Sequence, residues 1–188
     1  MGCPKGHPSF CMENLFDIRP CGLEDIAAVR GLEGEVLAAL ERPDQLRRNT
    51  EEMWRACLQA PHLCLGAWVR GDDAGQEVAL VAVAVLFVPA EGDGEELAPL
   101  LQSVEAKGLP AANFKICMVH PQWRGHGLQV TLGRMLHAEV QRRGIRLLCA
   151  TASPHNTASV CSLQKLGYTL DHTLTKYGFE RTLFYYFN

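Results

Sequence analysis

The chain has 188 residues, 47% of them hydrophobic and 21% charged, which is typical of one globular domain with a substantial core. The formal net charge of −3 provides no overall attraction for a polyanion, so the composition argues against a nucleic-acid partner. The longest apolar stretch, residues 78–90, is too short to cross a bilayer, which argues against a membrane protein.

The first segment, residues 1–11, is interpreted as a disordered leader, and we expect one folded domain over residues 12–188. The leader lacks the charged start and apolar run of a secretory signal. A cluster of potential metal ligands begins in this leader, but it lacks a paired C-x-x-C spacing, so we expect no metal site. The residues of that cluster are Cys3, His7, Cys11 and Cys21.

Eight cysteines occur in the whole chain. Most of them lie within apolar or helical stretches, where a free thiol behaves as a small hydrophobic side chain. Disulfides are rare in reducing compartments, so this usage indicates reduced cysteines and a cytoplasmic location.

The first half of the domain alternates helices and strands. "NLFDIRP" is predicted as a short strand ended by Pro20, and "GLEDIAAVRGLEGEVLAAL" has apolar residues at helical spacing. A second helix, "NTEEMWRACLQA", has Asn49 or Thr50 as its N-cap and is stopped by Pro61. Two strands follow, "HLCLGAWVR" and "EVALVAVAVLFVP", and the second is apolar on both faces, as in a central strand.

The second half begins with an acidic loop and short helical turn, "EGDGEELAPLLQSVEAKGLP", followed by a strand, "ANFKICMV". The long helix "GLQVTLGRMLHAEVQRRG" comes next, with Gly144 at the C′ position. Its predicted buried stripe consists of Leu128, Leu132, Met135, Leu136 and Val140. "RLLCATA" predicts a strand, "NTASVCSLQKLG" a short helix, and residues 168–176 and 182–187 two final strands. This order predicts a mixed α/β domain.

Two glycines precede the long helix, in "VHPQWRGHGL". A helix begins with unpaired N–H groups at the positive end of its dipole, and Gly125 and Gly127 have no Cβ to keep a phosphate away. A plain turn between strand and helix is the alternative interpretation. The spacing matches neither G-x-x-x-x-G-K-[ST] nor G-x-G-x-x-G, which argues against a P-loop NTPase and a dinucleotide fold.

The stretch "QWRGHG" resembles the Q/R-x-x-G-x-G/A motif of the GCN5-related N-acetyltransferase (GNAT) superfamily, at the same place between a strand and a long helix. "PHNTASVCSLQKLGY" resembles the segment in which an Asn opens a short helix ending at Leu-Gly-aromatic. The resemblance implies a single-domain GNAT fold, with a mixed sheet of six to seven strands flanked by about four helices. It also implies acetyl-CoA, or another acyl-CoA, as cofactor.

The resemblance assigns a binding role to several residues. The main chain of Cys117, Met118 and Val119 would pair with the pantetheine arm, and one N–H near Val119 would stabilise the oxyanion. Asn156 would bind the cofactor arm, while a plain N-cap is its structural alternative, and both roles can hold at once. The phosphates would lie on the segment formed by Gln122, Trp123, Arg124, Gly125, His126, Gly127 and Leu128.

The sequence departs from the family at the catalytic positions. Leu163 stands where many members carry the tyrosine that protonates the CoA thiolate, and Thr151 stands where some carry a glutamate base. His120 is the nearest candidate base and Ser162 a weaker candidate acid, although a solvent-facing loop histidine and an exposed helix serine are the favoured interpretations. Tyr168 and Tyr177 either line the acceptor side or pack in the core.

These features predict an N-acetyltransferase that transfers acetyl directly to an amine within a ternary complex, with a small-molecule or peptide acceptor. Glu33, Glu35, Glu41 and the acidic loop suggest a cationic acceptor, or are simply solvated surface. The alternative is an acyl-CoA-binding sensor without turnover. A third interpretation is a subunit acting through a partner, with the terminal strands as the edge of a homodimer.

Overall fold

The computed structural model describes residues 15–71, 77–106 and 108–188. The predicted leader, with Cys3, His7 and Cys11, lies outside the described residues. Cys21 lies within them and is buried as a free thiol, as are most of the other described cysteines.

Seven strands and four α-helices form the fold of the described residues. The strands are β1 (Phe16–Cys21), β2 (Leu63–Arg70), β3 (Glu77–Phe87), β4 (Ala111–Val119), β5 (Leu147–Ala152), β6 (Thr169–Lys176) and β7 (Phe179–Phe187). The helices are α1 (Ile26–Ala38), α2 (Glu51–Cys57), α3 (Leu128–Arg142) and α4 (Thr157–Lys165). Four one-turn 3-10 helices occur in the described connections, at Leu23–Asp25, Pro43–Gln45, Ala98–Leu100 and Pro121–Trp123. The predicted class, a mixed α/β domain, is confirmed.

All seven strands belong to one sheet, in the order β1-β2-β3-β4-β5-β7-β6. Neighbouring strands are antiparallel except β4 and β5, which run parallel. The two halves of the sheet therefore meet at its single parallel pair. Because parallel strands need a crossover, α3 connects β4 to β5, and it begins beyond the end of β4, where the two strands no longer pair.

Helices cover both faces of the sheet. On one face α1 and α2 bury Val29, Leu32 and Trp54 against β3 and β4. On the other face α3 and α4 bury a second cluster that includes Leu132 and Leu163. A smaller cluster places residues 97–101 over β5 and β7, on the face that α1 and α2 leave open. Gly144 has φ +69° after the last turn of α3, so the prediction of a C′ glycine is confirmed.

Three predictions about individual elements are wrong. Helix α2 ends at Cys57 with Leu58 as its C-cap, so Pro61 does not stop it. The first strand does not end at Pro20 but continues to Cys21. A proline is tolerated there because β1 is an edge strand that pairs with β2 alone, so its missing N–H costs no bond on the other side. Met135 is predicted in the buried stripe of α3 but is 39% exposed. The buried face includes Gly133 instead, which packs against Leu166, the C-cap of α4.

Candidate functional site

The parallel pair separates soon after it forms. Ala111, Ala112 and Asn113 of β4 pair with the first three residues of β5, and the pairing then ends. The rest of β4 has an open edge toward β5. A cavity of about 730 Å³ lies in this gap, lined by residues 114–119 of β4, by residues 150–152 of β5 and by the first turns of α3 and α4.

A β-bulge in β4 sets the direction of its backbone groups. Ala84 of β3 pairs with Cys117, but Leu86 pairs with Phe114, so β4 carries one extra residue there. Beyond the bulge, the N–H of His120 donates to the carbonyl of Val81 at 2.8 Å. Backbone groups alternate in direction along a strand, so the N–H groups of Cys117 and Val119 point away from β3, into the cavity.

The glycine loop opens one end of the cavity. Gly125 has φ +84° and Gly127, the N-cap of α3, has φ +73°, values that favour glycine. A Cβ at either position would meet no protein atom within 4 Å, so the main chain is open to a ligand. The N–H groups of Trp123 and Arg124 donate to the carbonyls of His120 and Pro121, at 2.8 and 3.4 Å. The amides suited to phosphate are therefore those that follow Arg124.

Helix α4 forms the opposite wall. The Oδ1 atom of Asn156 accepts a hydrogen bond from the N–H of Ser159 at 3.1 Å and so caps the helix. This cap occupies Oδ1, and the Nδ2 group is the part of the side chain that can donate to a bound cofactor. Gln129 of α3 donates to the Ser159 hydroxyl at 3.4 Å, which links the two walls.

The structure brings together ten of the thirteen predicted site residues in the lining of this cavity. The three others, His120, Gln122 and His126, are not among the described residues that line it. The His126 ring nitrogen Nδ1 lies 3.1 Å from the carbonyl of Trp123, so this side chain supports the loop from behind. The ten lining residues are Cys117, Met118, Val119, Trp123, Arg124, Gly125, Gly127, Leu128, Asn156 and Ser162.

His120 is engaged on both ring nitrogens. Its Nε2 lies 3.1 Å from the Glu35 carboxylate, and its Nδ1 accepts a hydrogen bond from the N–H of Gln122 at 3.2 Å. The catalytic role assigned to His120 stays a prediction that this geometry does not support.

A partly buried group of charged side chains, missed in the sequence, lies at the other end of the cavity, where Arg47, Lys115 and Tyr177 line it. Glu95 accepts hydrogen bonds from Lys115, from Arg47 at 3.1 Å and from the Tyr177 hydroxyl at 2.8 Å. Burial raises the pKa of Glu95, but these hydrogen bonds and the two positive charges outweigh it and hold the pKa at about 2. Lys115 could have indicated this group in the sequence, since it is the only charged residue in the apolar run "NFKICMV".

No protein-family model matches the sequence, and no curated protein sequence matches it. Solved structures do match the fold. They include yncA, a putative acetyltransferase of Salmonella typhimurium with acetyl-CoA, at 19% identity and TM-score 0.65, covering 93% of this chain and 94% of that chain. Arabidopsis thaliana NAA60 with acetyl-CoA is similar at 15% identity and TM-score 0.70, with coverages of 92% and 98%.

The GNAT domain of S. lividans PAT matches at 18% identity and TM-score 0.62, covering 91% of this chain and 89% of that domain. At these identities the likeness is one of fold. The chain has the GNAT fold. The seven-stranded sheet with four helices agrees with the architecture that the sequence motifs implied.

Leu163 and Thr151 line the cavity at the two positions where the sequence resemblance would place an acid and a base. Leu163 lines the cavity and is only 2% exposed, so an apolar group stands at the usual position of the acid. The hydroxyl of Ser162 donates to the carbonyl of Ala158 at 2.9 Å, which occupies its proton within the helix. Burial raises the pKa of the Cys117 thiol to about 12, so this thiol stays protonated near neutral pH and is a poor nucleophile.

The two tyrosines considered for the acceptor side, Tyr168 and Tyr177, lie in different environments. Tyr168 is buried in the core beneath α3, and its hydroxyl has no hydrogen-bond partner among the described residues. Tyr177 lines the cavity. The described residues contain no helix long and apolar enough to cross a membrane, and the same residues hold no group of three potential metal ligands.

Proposed function

We propose that the chain is an N-acetyltransferase that transfers acetyl from acetyl-CoA directly to an amine within a ternary complex. The observation that carries the proposal is the gap between β4 and β5 beyond Asn113, open at an edge whose amides are unpaired with β5. The similarity in fold to yncA and NAA60, both solved with acetyl-CoA, supports this choice of cofactor.

The residues of the cavity fit the parts of acetyl-CoA. The amides from Gly125 to Leu128 would hold the pyrophosphate at the start of α3, where the helix dipole favours negative charge. The edge of β4 at Cys117 and Val119 would hold the pantetheine arm in the manner of an added strand. Asn156 would donate to the same arm from the opposite wall.

Acetyl-CoA supplies a thioester, whose carbonyl carbon is the electrophile. The N–H of Val119 would donate to the carbonyl oxygen and stabilise the negative charge that develops there. The carbon–nitrogen bond would form and the carbon–sulfur bond would break. The amine would lose one proton to water, and the departing CoA thiolate would take a proton from water to leave as the thiol. The protonated Cys117 is consistent with this direct transfer, since a covalent route would need a thiolate.

The second candidate is an acyl-CoA-binding sensor without turnover. The observation in its favour is that Leu163 presents an apolar side chain at the position of the family acid, while Ser162 is engaged within α4. Such a protein would keep the cofactor-binding residues but would lack the rate acceleration that a positioned general acid provides.

Two measurements test the proposal. At about a hundred times its Kd, acetyl-CoA should stabilise the fold by about 2.7 kcal/mol, which raises the melting temperature by about 5–10 °C for a chain of this size. Absence of any shift at millimolar acetyl-CoA contradicts both candidates. Release of free thiol with a panel of amines then supports the transferase, whereas a thermal shift without release for any amine supports the sensor.

A further inference from the structure

The cavity extends past the β4 edge to a second end, away from the glycine loop. This end lies between the connection from α1 to α2 and the turn from β6 to β7. Because the glycine loop and α4 would hold acetyl-CoA, the second end is where an acceptor would enter. Its lining includes Val36, Leu40, Leu46, Arg47, Tyr177 and Arg181.

The charged side chains of the lining are mostly cationic. Among the described residues that line the cavity, five are lysine or arginine, and the one acid is Glu41, which is exposed. Arg124 and Lys165 belong to the glycine loop and α4, beside the proposed phosphate site. The other three, Lys115, Arg47 and Arg181, surround Tyr177 at the acceptor end: the Arg47 guanidinium lies 4.1 Å from the centre of the Tyr177 ring.

This group of cations is incompletely neutralised. One carboxylate, that of Glu95, serves both Lys115 and Arg47. Arg181 is only 4% exposed and donates to a neutral group, the main-chain carbonyl of Asp44. Burial lowers the pKa of Arg181, as expected for a charge taken out of water.

The carboxylate of Asp44 lies close by but is engaged elsewhere. It accepts hydrogen bonds from the Ser153 hydroxyl at 2.5 Å and from Arg42 at 2.9 Å. These bonds hold its pKa at about 2, so it stays ionised and paired at neutral pH. The excess positive charge at the acceptor end is thus only partly offset by the protein itself.

The acidic residues that suggested a cationic acceptor in the sequence do not present unpaired carboxylates inside the acceptor end of the cavity. The Glu33 carboxylate is buried and accepts from the Asn49 main chain at 2.9 Å and from the Trp54 indole at 3.0 Å. Glu35 pairs with His120. Glu95, in the acidic loop, is shared by two cations, and Glu41 lies exposed at the rim. The suggestion of a cationic acceptor is therefore not supported by the arrangement of these side chains.

We propose that the acceptor is a small amine that also carries a carboxylate, such as an α-amino acid, and that Arg47 and Arg181 bind this carboxylate. An arginine fork matches a carboxylate in geometry as well as charge, and the half-enclosed site strengthens the pairing. Bound in this way, the acceptor would be oriented with its amine toward the β4 edge. This inference rests on the proposed acetyl transfer and specifies its substrate class.

The test uses matched sets of amines and the purified full-length chain. Thiol release is measured with the common α-amino acids and, for each one, with its α-carboxamide and its decarboxylated amine. We expect the carboxylate to raise kcat/KM by about tenfold or more over both analogues, as a charge-assisted pair does. Arg47→Gln should remove most of this preference, while Arg48→Gln, the exposed neighbour outside the cavity lining, should retain it.

A second readout covers acceptors that bind without reacting. With CoA present, the same amino acids should further raise the melting temperature of the wild type and of Arg48→Gln, but not of Arg47→Gln. Equal turnover of acids and amides, or no added stabilisation and no turnover with any carboxylate, overturns the inference while acetyl-CoA binding stands. Failure of acetyl-CoA itself to stabilise the protein overturns the proposed function, and the inference with it.

Discussion

Leu163 lines the cavity and is almost completely buried. Many proteins of the superfamily carry at this position a tyrosine that acts as the general acid. If protonation of the departing thiolate limits the rate, a hydroxyl at this position should accelerate the reaction. We expect Leu163→Tyr to raise kcat by about tenfold, less than the roughly hundredfold or more that a fully positioned acid contributes. The measurement is steady-state thiol release with the best acceptor found.

Leu163→Phe provides the matched control, because it adds the same ring without the hydroxyl. Both variants overfill the site, which typically costs about 1–3 kcal/mol, so both should melt at similarly lower temperatures. Only the tyrosine should raise kcat. Equal rates for the two variants would show that the proton reaches the thiolate by another route.

Individual residues also show where sequence reasoning stops. The positive φ angles of Gly125 and Gly127 and the N-cap at Asn156 were predictable, because they depend on local backbone geometry that a short motif records. Arg47 and Arg181 were not, since they are separated along the chain and meet only when the β6–β7 turn folds over the connection after α1. No local pattern marks such a pair.

At the scale of elements, the two ends of α3 offer a direct test of the glycine loop. Gly127 at the start has φ +73° and Gly144 after the end has φ +69°, and a Cβ at either would meet no protein atom within 4 Å. Alanine at either position should therefore cost similar backbone strain, about 1–2 kcal/mol. Only Gly127 lines the cavity.

We expect Gly127→Ala and Gly144→Ala to lower the melting temperature of the unliganded protein by similar amounts. Acetyl-CoA should then restore stability in Gly144→Ala but have little effect on Gly127→Ala, because the new Cβ would crowd the phosphates. Differential scanning fluorimetry with and without acetyl-CoA measures both effects. Equal cofactor shifts in the two variants would place the phosphates elsewhere.

The elements themselves were largely predictable, because hydrophobic period and capping residues specify them locally. Thr50 caps α2 as expected, with its hydroxyl accepting from the N–H of Met53 at 3.2 Å. Pro20 misled because its tolerance depends on β1 being an edge strand, a property of the sheet order. The separation of β4 from β5 could not be predicted from the sequence either, since it depends on how two strands that are distant along the chain pair.

At the scale of the whole molecule, Glu95 connects the acidic loop to β4, to the β6–β7 turn and to the connection after α1. The side chain of Lys115, its partner on β4, is only 8% exposed and that of Glu95 16%, so most of the pair is removed from water. Losing one partner of such a pair leaves an uncompensated buried charge. The loop and the sheet should thus be held together by this one carboxylate.

The resulting prediction concerns stability in acid. The pKa of Glu95 falls from an ordinary 4.5 to about 2 in the folded chain, so its contribution is complete above about pH 4.5 and is lost as the pH falls toward 2. The loss attributable to this group should be on the order of 3 kcal/mol. The free energy of unfolding in urea is measured from pH 7 to pH 2.5 for the wild type and for Glu95→Gln, which is already destabilised at pH 7. The difference between the two free energies should shrink as the pH falls. Glu91→Gln, on the exposed part of the same loop, should follow the wild-type curve; parallel curves for wild type and Glu95→Gln would refute the role assigned to Glu95.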